Sequence, residues 1–149
     1  SITPLELLNY IGTIANGGVA YKTRVVNEIQ NLHGNVVFRS TSTILKDLRD
    51  AIRGNVDLVA QGMRDAVAAP YGTAYLLHDL PVAVAAKTGT AQIQNNAKTN
   101  AFFVGYAPFE NPRLAILILI ENSREGSLNT VPVARDIFLW YYNNRIKKS

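Results

Sequence analysis

The chain has 149 residues, 48% of them hydrophobic and 17% charged, with a net charge of +4 and no cysteine. That length and composition suit one domain with its own core, and the missing cysteines exclude a disulfide framework and a thiolate zinc site. Basicity gathers in Arg145, Lys147 and Lys148 at the end of the chain, so there is no clustered basic face for nucleic acid. The longest aliphatic run, residues 114–120, falls well short of the roughly 18 residues a membrane span needs and reads as a buried strand.

The first predicted element is a helix over TPLELLNYIGTIANGG. Thr3 is its N-cap, Pro4 its first helical residue, and Leu7, Leu8, Ile11, Ile14 and Ala15 form its apolar stripe before Gly17-Gly18 stops it. AYKTRVVNEI and NVVFRS flank Asn31-Leu32-His33-Gly34-Asn35 and read as a hairpin with a glycine turn. STSTILKDLRDAIRG reads as a second helix, hydroxyl-capped, with Ile44, Leu45, Leu48, Ala51 and Ile52 on one face and Gly54 at its end. NVDLVAQGMRDAVAAP repeats the pattern with Val59, Met63 and Val67, stopping before Pro70. PYGTAYLLHDLP is a connector. Strands are predicted over 81–91, 100–106 and 114–121, the last two joined through FENPR as an antiparallel hairpin. NTVPVARDIFLWYYNNR closes the chain as a helix capped by Asn129 or Thr130, with Val133, Ile137 and Trp140 on one face. With no repeat, low-complexity segment or linker, residues 1–149 belong to a single domain. Its class is mixed α+β, with a mainly antiparallel sheet faced by helices.

The chemistry concentrates in VAVAAKTGTAQ, residues 82–92. On a strand Lys87 and Gly89 project to one face and Thr88 and Thr90 to the other, so no ligand on one face meets all four. A ligand lying along the strand's edge does. Gly89 leaves room for its backbone, Thr90 N–H and C=O pair with it as an added strand would, and an ammonium with two hydroxyls suits a carboxylate. The residues thus describe a site for an extended, carboxylate-bearing peptide. The plain alternative is a strand end with a bulge.

Lys-Thr-Gly is also one of three sequence marks of penicillin-binding proteins and serine β-lactamases. Here it stands in VAVAAKTGTAQ, after YGTAY and before NAFFVGYAPFENPRLAILILIEN and a terminal helix, with ITPLELLNYIGTIANGG upstream. In that order the chain resembles, over nearly its whole length, the C-terminal half of a class B penicillin-binding transpeptidase. AAKTGTAQ and ILIEN are most similar to the elongation-specific, penicillin-binding protein 2 type.

The resemblance implies that Lys87 faces the serine of a second motif and shapes the field for proton transfer. It implies that Thr88 and Thr90 hold the terminal carboxylate of a D-Ala-D-Ala stem peptide or of a β-lactam. It further implies that Gly89 permits close approach, and that the Thr90 N–H is one of two oxyanion-hole donors. No metal or organic cofactor is implied. The implied partners are the stem peptide, β-lactam antibiotics, the upstream part of the same domain and elongation-complex proteins, and the implied location is the periplasmic face of the bacterial inner membrane. Ala86 stands where the family often has glycine.

No Ser-x-x-Lys occurs in the chain, and Ser127-Leu128-Asn129, its one Ser-x-Asn, follows Lys-Thr-Gly instead of preceding it and reads as a helix cap. Together with Ser1 in place of a starting methionine, this leads us to expect a partial domain that is inactive alone. Two other readings stand beside it: a non-catalytic binding or scaffold fragment of a cell-wall protein, and part of a serine β-lactamase, which the helix-hairpin-helix region before Lys87 disfavours. His33 and His78 are expected to be solvated. Asp47, Asp50, Asp57 and Asp65 are expected on polar helix faces, and Tyr141-Tyr142 in core and rim.

Overall fold

Thr3 starts the first helix as expected. Its hydroxyl accepts from the Glu6 N–H at 3.2 Å while Glu6 Oε2 accepts back from the Thr3 N–H at 2.7 Å, a reciprocal cap for α1 (Pro4–Ala15). Gly17 and Gly18, both at positive φ, end it. Four short strands follow: β1 (Val19–Tyr21), β2 (Glu28–Gln30), β3 (Val36–Arg39) and β4 (Ile44–Asp47). After them come α2 (Asn55–Ala68), a 3-10 turn over Tyr75–Leu77, β5 (Ala85–Ile93), β6 (Lys98–Ala107), β7 (Leu114–Ile120), α3 (Gly126–Tyr141) and a π-helical turn over Tyr142–Ile146. The computed structural model describes residues 2–52, 54–93, 98–123 and 125–148.

The main sheet has the order β5-β6-β7 and is antiparallel throughout, with Thr88 opposite Phe103 and Val104 opposite Leu117. Alternation along its strands feeds two cores. Val84, Ala86 and Phe103 pack with Leu77 and with Val131, Ala134 and Phe138 of α3. Phe103 and Phe138 meet edge-on, ring centroids 6.4 Å apart, and truncating either buried ring to Ala costs about 3–5 kcal/mol. On the other face Ala85, Val104 and Tyr106 pack with Ile11 and Ile14 of α1 and Met63 of α2. The mixed class and the helix-faced antiparallel sheet are as expected. Among the described residues β5 has a partner on one side only, which makes it an edge strand.

The expected hairpin forms: β2 pairs with β3 around Gly34, which takes a positive φ. It stands on a narrow neck. β1 pairs with β4, and the Lys22 N–H donates to the Thr43 carbonyl at 2.8 Å, so the chain leaves and returns at one point.

The structure corrects several expectations. Residues 44–47 are strand β4 and not part of a helix, with Val19 opposite Asp47 and Leu48 N–H continuing the pairing to the Gly18 carbonyl at 2.9 Å. The edge of β1 captures a segment whose apolar spacing also fits a helix, and Asp47, bonding the Arg49 N–H and guanidinium, turns the chain after it. Ile44 and Leu45 are accordingly exposed. The terminal helix begins at Gly126 and not at Asn129 or Thr130, and its buried face is Thr130, Val131, Ala134 and Phe138, while Val133, Ile137 and Trp140 lie outside. Ser127 and Asn129 do not cap it; they sit in its first turn, where the Asn129 amide donates to the Glu125 carbonyl. On α2 the buried positions are Val56, Met63 and Val67, with Val59 on the rim of a cleft.

Candidate active-site groove

The strand that carries Lys87-Thr88-Gly89-Thr90 lies at the sheet's open edge, and its alternation splits the four side chains as the sequence predicts. Thr88 and Thr90 turn toward α3. The Thr88 hydroxyl donates to Thr73 Oγ1 at 2.8 Å, and Thr90 Oγ1 accepts the Gly126 N–H at 3.1 Å. Lys87 projects on the side of α1 and α2, where its stem joins Leu7, Ile11, Met63 and Val104 in lining an apolar cleft of about 340 Å³. Its ammonium folds back to donate to the Thr88 carbonyl.

A groove of about 540 Å³ runs along this edge. Five hydroxyl side chains line it: Thr73, Thr88, Thr90, Thr99 and Ser127. Lys87, Glu125 and Gln92 add one cation, one anion and one amide. Lys87 therefore borders both the groove and the apolar cleft. Thr99 at the far end is held through its hydroxyl to the Ser123 carbonyl.

The two glycines at the groove differ in kind. A Cβ on Gly126 would lie 2.4 Å from the Gly89 carbonyl oxygen and 3.1 Å from that of Phe102, so the fold itself demands glycine there. A Cβ on Gly89 would meet only Phe102 Cβ, at an ordinary 3.6 Å. Nothing among the described residues forbids a side chain at Gly89; what its absence keeps clear is the groove.

Close packing at Gly126 explains how α3 begins. Glu125 stands at the N-cap position without a capping side-chain bond, and the Thr90 hydroxyl, 36 residues away in sequence, takes up an N–H of the first turn instead. That carbonyl-like use of its oxygen leaves Thr90 with its own proton to donate into the groove.

The matching family model is the penicillin-binding protein transpeptidase domain, and it covers residues 1–139. This chain belongs to that family. It is 29% identical over 160 residues to the peptidoglycan D,D-transpeptidase MrdA of Haemophilus influenzae, an alignment covering 97% of this chain and 24% of the relative. It is 32% identical over 133 residues to penicillin-binding protein 2A of Bacillus subtilis, covering 79% and 18%. Among solved structures it is similar to the D,D-transpeptidase domain of a peptidoglycan glycosyltransferase from Eggerthella lenta. There the TM-score is 0.78 and the identity 29%, over 95% of this chain and 32% of the other. Penicillin-binding protein 2B of Streptococcus pneumoniae gives a TM-score of 0.75 and 26% identity over 97% and 25%. The chain thus spans about a quarter of the length of its first transpeptidase relatives.

The remaining side chains considered in the sequence lie elsewhere. His33 is exposed in the hairpin turn, its N–H donating to Asn31 Oδ1. His78 stacks on Tyr75 with centroids 4.0 Å apart. Asp79 pairs with Arg135 (Nη2 to Oδ2 3.0 Å), whose guanidinium holds its carboxyl below the usual range. Five contributors to the groove have no role in the sequence reading: Thr73, Gln92, Thr99, Glu125 and Gly126. Thr73 has a visible signal, since it stands in YGTAY ahead of the motif, and Gln92 follows the motif within two residues; Thr99, Glu125 and Gly126 have none short of the folded contact.

Proposed function

We propose that these residues form the substrate edge of a single peptidoglycan D,D-transpeptidase domain, of which residues 1–149 are one portion. The whole enzyme cross-links stem peptides through an acyl-serine intermediate and is acylated by β-lactams. One observation carries the proposal: a transpeptidase-family chain in which Lys-Thr-Gly-Thr forms an open sheet edge beside a groove lined by hydroxyls.

In this reading the peptide lies antiparallel along β5. The Thr88 carbonyl is engaged by Lys87, and backbone groups two residues apart on a strand point the same way, so Thr90 N–H is directed to the edge where the peptide lies. A serine from another segment attacks the penultimate D-Ala carbonyl. The oxyanion that develops is held by the Thr90 N–H and by the nucleophile's own N–H, and one such donor affects rate by about a hundredfold or more. Thr88 and Thr90 hold the terminal carboxylate, Lys87 supplies positive charge to the proton transfers, and Gly89 admits the peptide backbone. The terminal D-Ala leaves as an amine, and an amine of a second stem peptide then attacks the ester. The substrate places the site at the periplasmic face of the inner membrane, among elongation-complex proteins.

The test is acylation. A fluorescent penicillin should label the full-length parent covalently and leave this chain alone unlabelled, because the serine of Ser-x-x-Lys is not among its 149 residues. Failure to label the parent overturns the transpeptidase reading. A stoichiometric adduct on this chain, seen by intact mass, moves the nucleophile into it.

A further inference from the structure

Thr73 is held more firmly than a connector residue needs to be. Gly72 before it has no room for a side chain, since a Cβ there would lie 2.2 Å from the Ala66 carbonyl oxygen in the last turn of α2. Ala74 after it is fully buried, and its N–H donates to that same carbonyl at 3.0 Å. The Gly72 N–H donates to the Ala69 carbonyl at 2.8 Å, and its own carbonyl accepts from Tyr75 at 3.1 Å. The turn is stapled to the end of a helix on both sides of Thr73, whose side chain alone stands out, into the groove.

What it meets there is Thr88. The two hydroxyl oxygens lie 2.8 Å apart, and Thr88 is only 8% exposed, so water competes little for its hydroxyl. A hydroxyl has a single proton. While Thr88 gives its proton to Thr73, it can offer an anion only lone pairs. If the pair reverses, Thr73 donates to Thr88 Oγ1 and the Thr88 proton turns into the groove. Two hydroxyls in series then polarise each other and strengthen the outer bond.

We propose that Thr73 is a positioning residue: fixed on the end of α2, it donates to Thr88 when an anion is bound and so aims the Thr88 proton at the ligand's carboxylate. Both steps are hydroxyl rotations: one hydrogen bond is exchanged for another, no covalent bond is broken and no proton changes owner. The inference rests on the carboxylate reading of the groove given above.

The experiment uses the full-length parent and second-order acylation constants for a β-lactam free acid and its methyl ester. The variants are Thr73→Val, Thr73→Ser, Thr88→Val and the double Thr73→Val/Thr88→Val. Thr73→Val keeps shape and removes the hydroxyl, and it should slow the free acid by about three- to tenfold while leaving the ester within about twofold. Thr73→Ser should restore the rate. The double variant should be no slower than Thr88→Val alone, because the second hydroxyl acts only through the first. Equal slowing of acid and ester, additive losses, or no loss at all in Thr73→Val overturns the proposal. If Thr88→Val is acid-selective and Thr73→Val is not, only the role of Thr73 falls. If Thr88→Val slows both ligands alike, the carboxylate reading falls and takes this inference with it.

Discussion

Replacing Gly126 by alanine tests whether α3 and β5 are set by the same contact. The new Cβ would start 2.4 Å from the Gly89 oxygen, and ordinary contact begins at 3.4 Å, so something must move by about 1 Å. The atoms in the way are backbone of two paired strands; the helix end has to give. Overpacking of this kind costs about 1–3 kcal/mol, and losing the bond from Gly126 to the Thr90 hydroxyl adds about 0.5–1.5 kcal/mol. Against this, alanine gains at most about 1 kcal/mol over glycine in a helix. A net loss of about 2 kcal/mol lowers Tm by roughly 2 °C, because the whole domain is about three times the length of these residues and its unfolding entropy scales with length. Gly12, inside α1, is the control: no described atom lies within 4 Å of a Cβ there, so Gly12→Ala should raise Tm by about 1 °C. The assay is thermal unfolding of the full-length parent, followed by its acylation constant, which should fall in Gly126→Ala because Thr90 loses the partner that orients it. If Gly126→Ala is as stable as the parent and acylates at the parent's rate, the contact does not set either element.

Thr90→Val in the parent removes a hydroxyl and keeps the backbone N–H, so acylation by a free-acid β-lactam should fall by about tenfold or more while a methyl ester loses much less; Lys87→Ala should be worse for the free acid, and equal losses of acid and ester in Thr90→Val would assign its hydroxyl to the strand and helix end alone. Asp79 has its folded-state pKa lowered, first by its hydrogen bond from Arg135, so the ion pair contributes stability above the ordinary value of 3.8 and loses it as the pH falls through the folded value. The Tm difference between the parent and Arg135→Ala should therefore be largest near neutrality and close in acid; a difference that persists below the folded value would mean that Arg135 acts through its bond to the Leu76 carbonyl instead.

The parts of the fold legible in sequence are those decided locally. Thr3 with Pro4, the Gly17-Gly18 stop and the Gly34 turn each carry their own chemistry within a few residues, and each forms as read. Residues 44–47 are ambiguous in sequence because their spacing satisfies a helix equally well, and the edge of β1, about 25 residues upstream, decides for a strand. The start of α3 shows the same limit, since its first turn is settled by Gly89 and Thr90 on another strand. At the groove, Lys87, Thr88, Gly89 and Thr90 were legible together because one strand presents them all. Thr73 needed the fold, which carries it across the groove to Thr88 from a turn 15 residues earlier.

The neck at Lys22 and Thr43 sets residues 24–42 apart from the main sheet, while Thr23 beside it is held to α1 by the Asn9 amide at 3.1 Å. Their two ends are already joined by β1–β4 pairing, so the closure entropy of whatever lies between is largely set by the neck, and doubling the length adds only about 0.6 kcal/mol. The hairpin can therefore be exchanged for a foreign loop, an epitope or a fluorescent reporter without re-threading the sheet that carries the groove. That makes it an engineering port: a place to attach cargo on a short two-stranded stalk while β5 and its groove remain untouched.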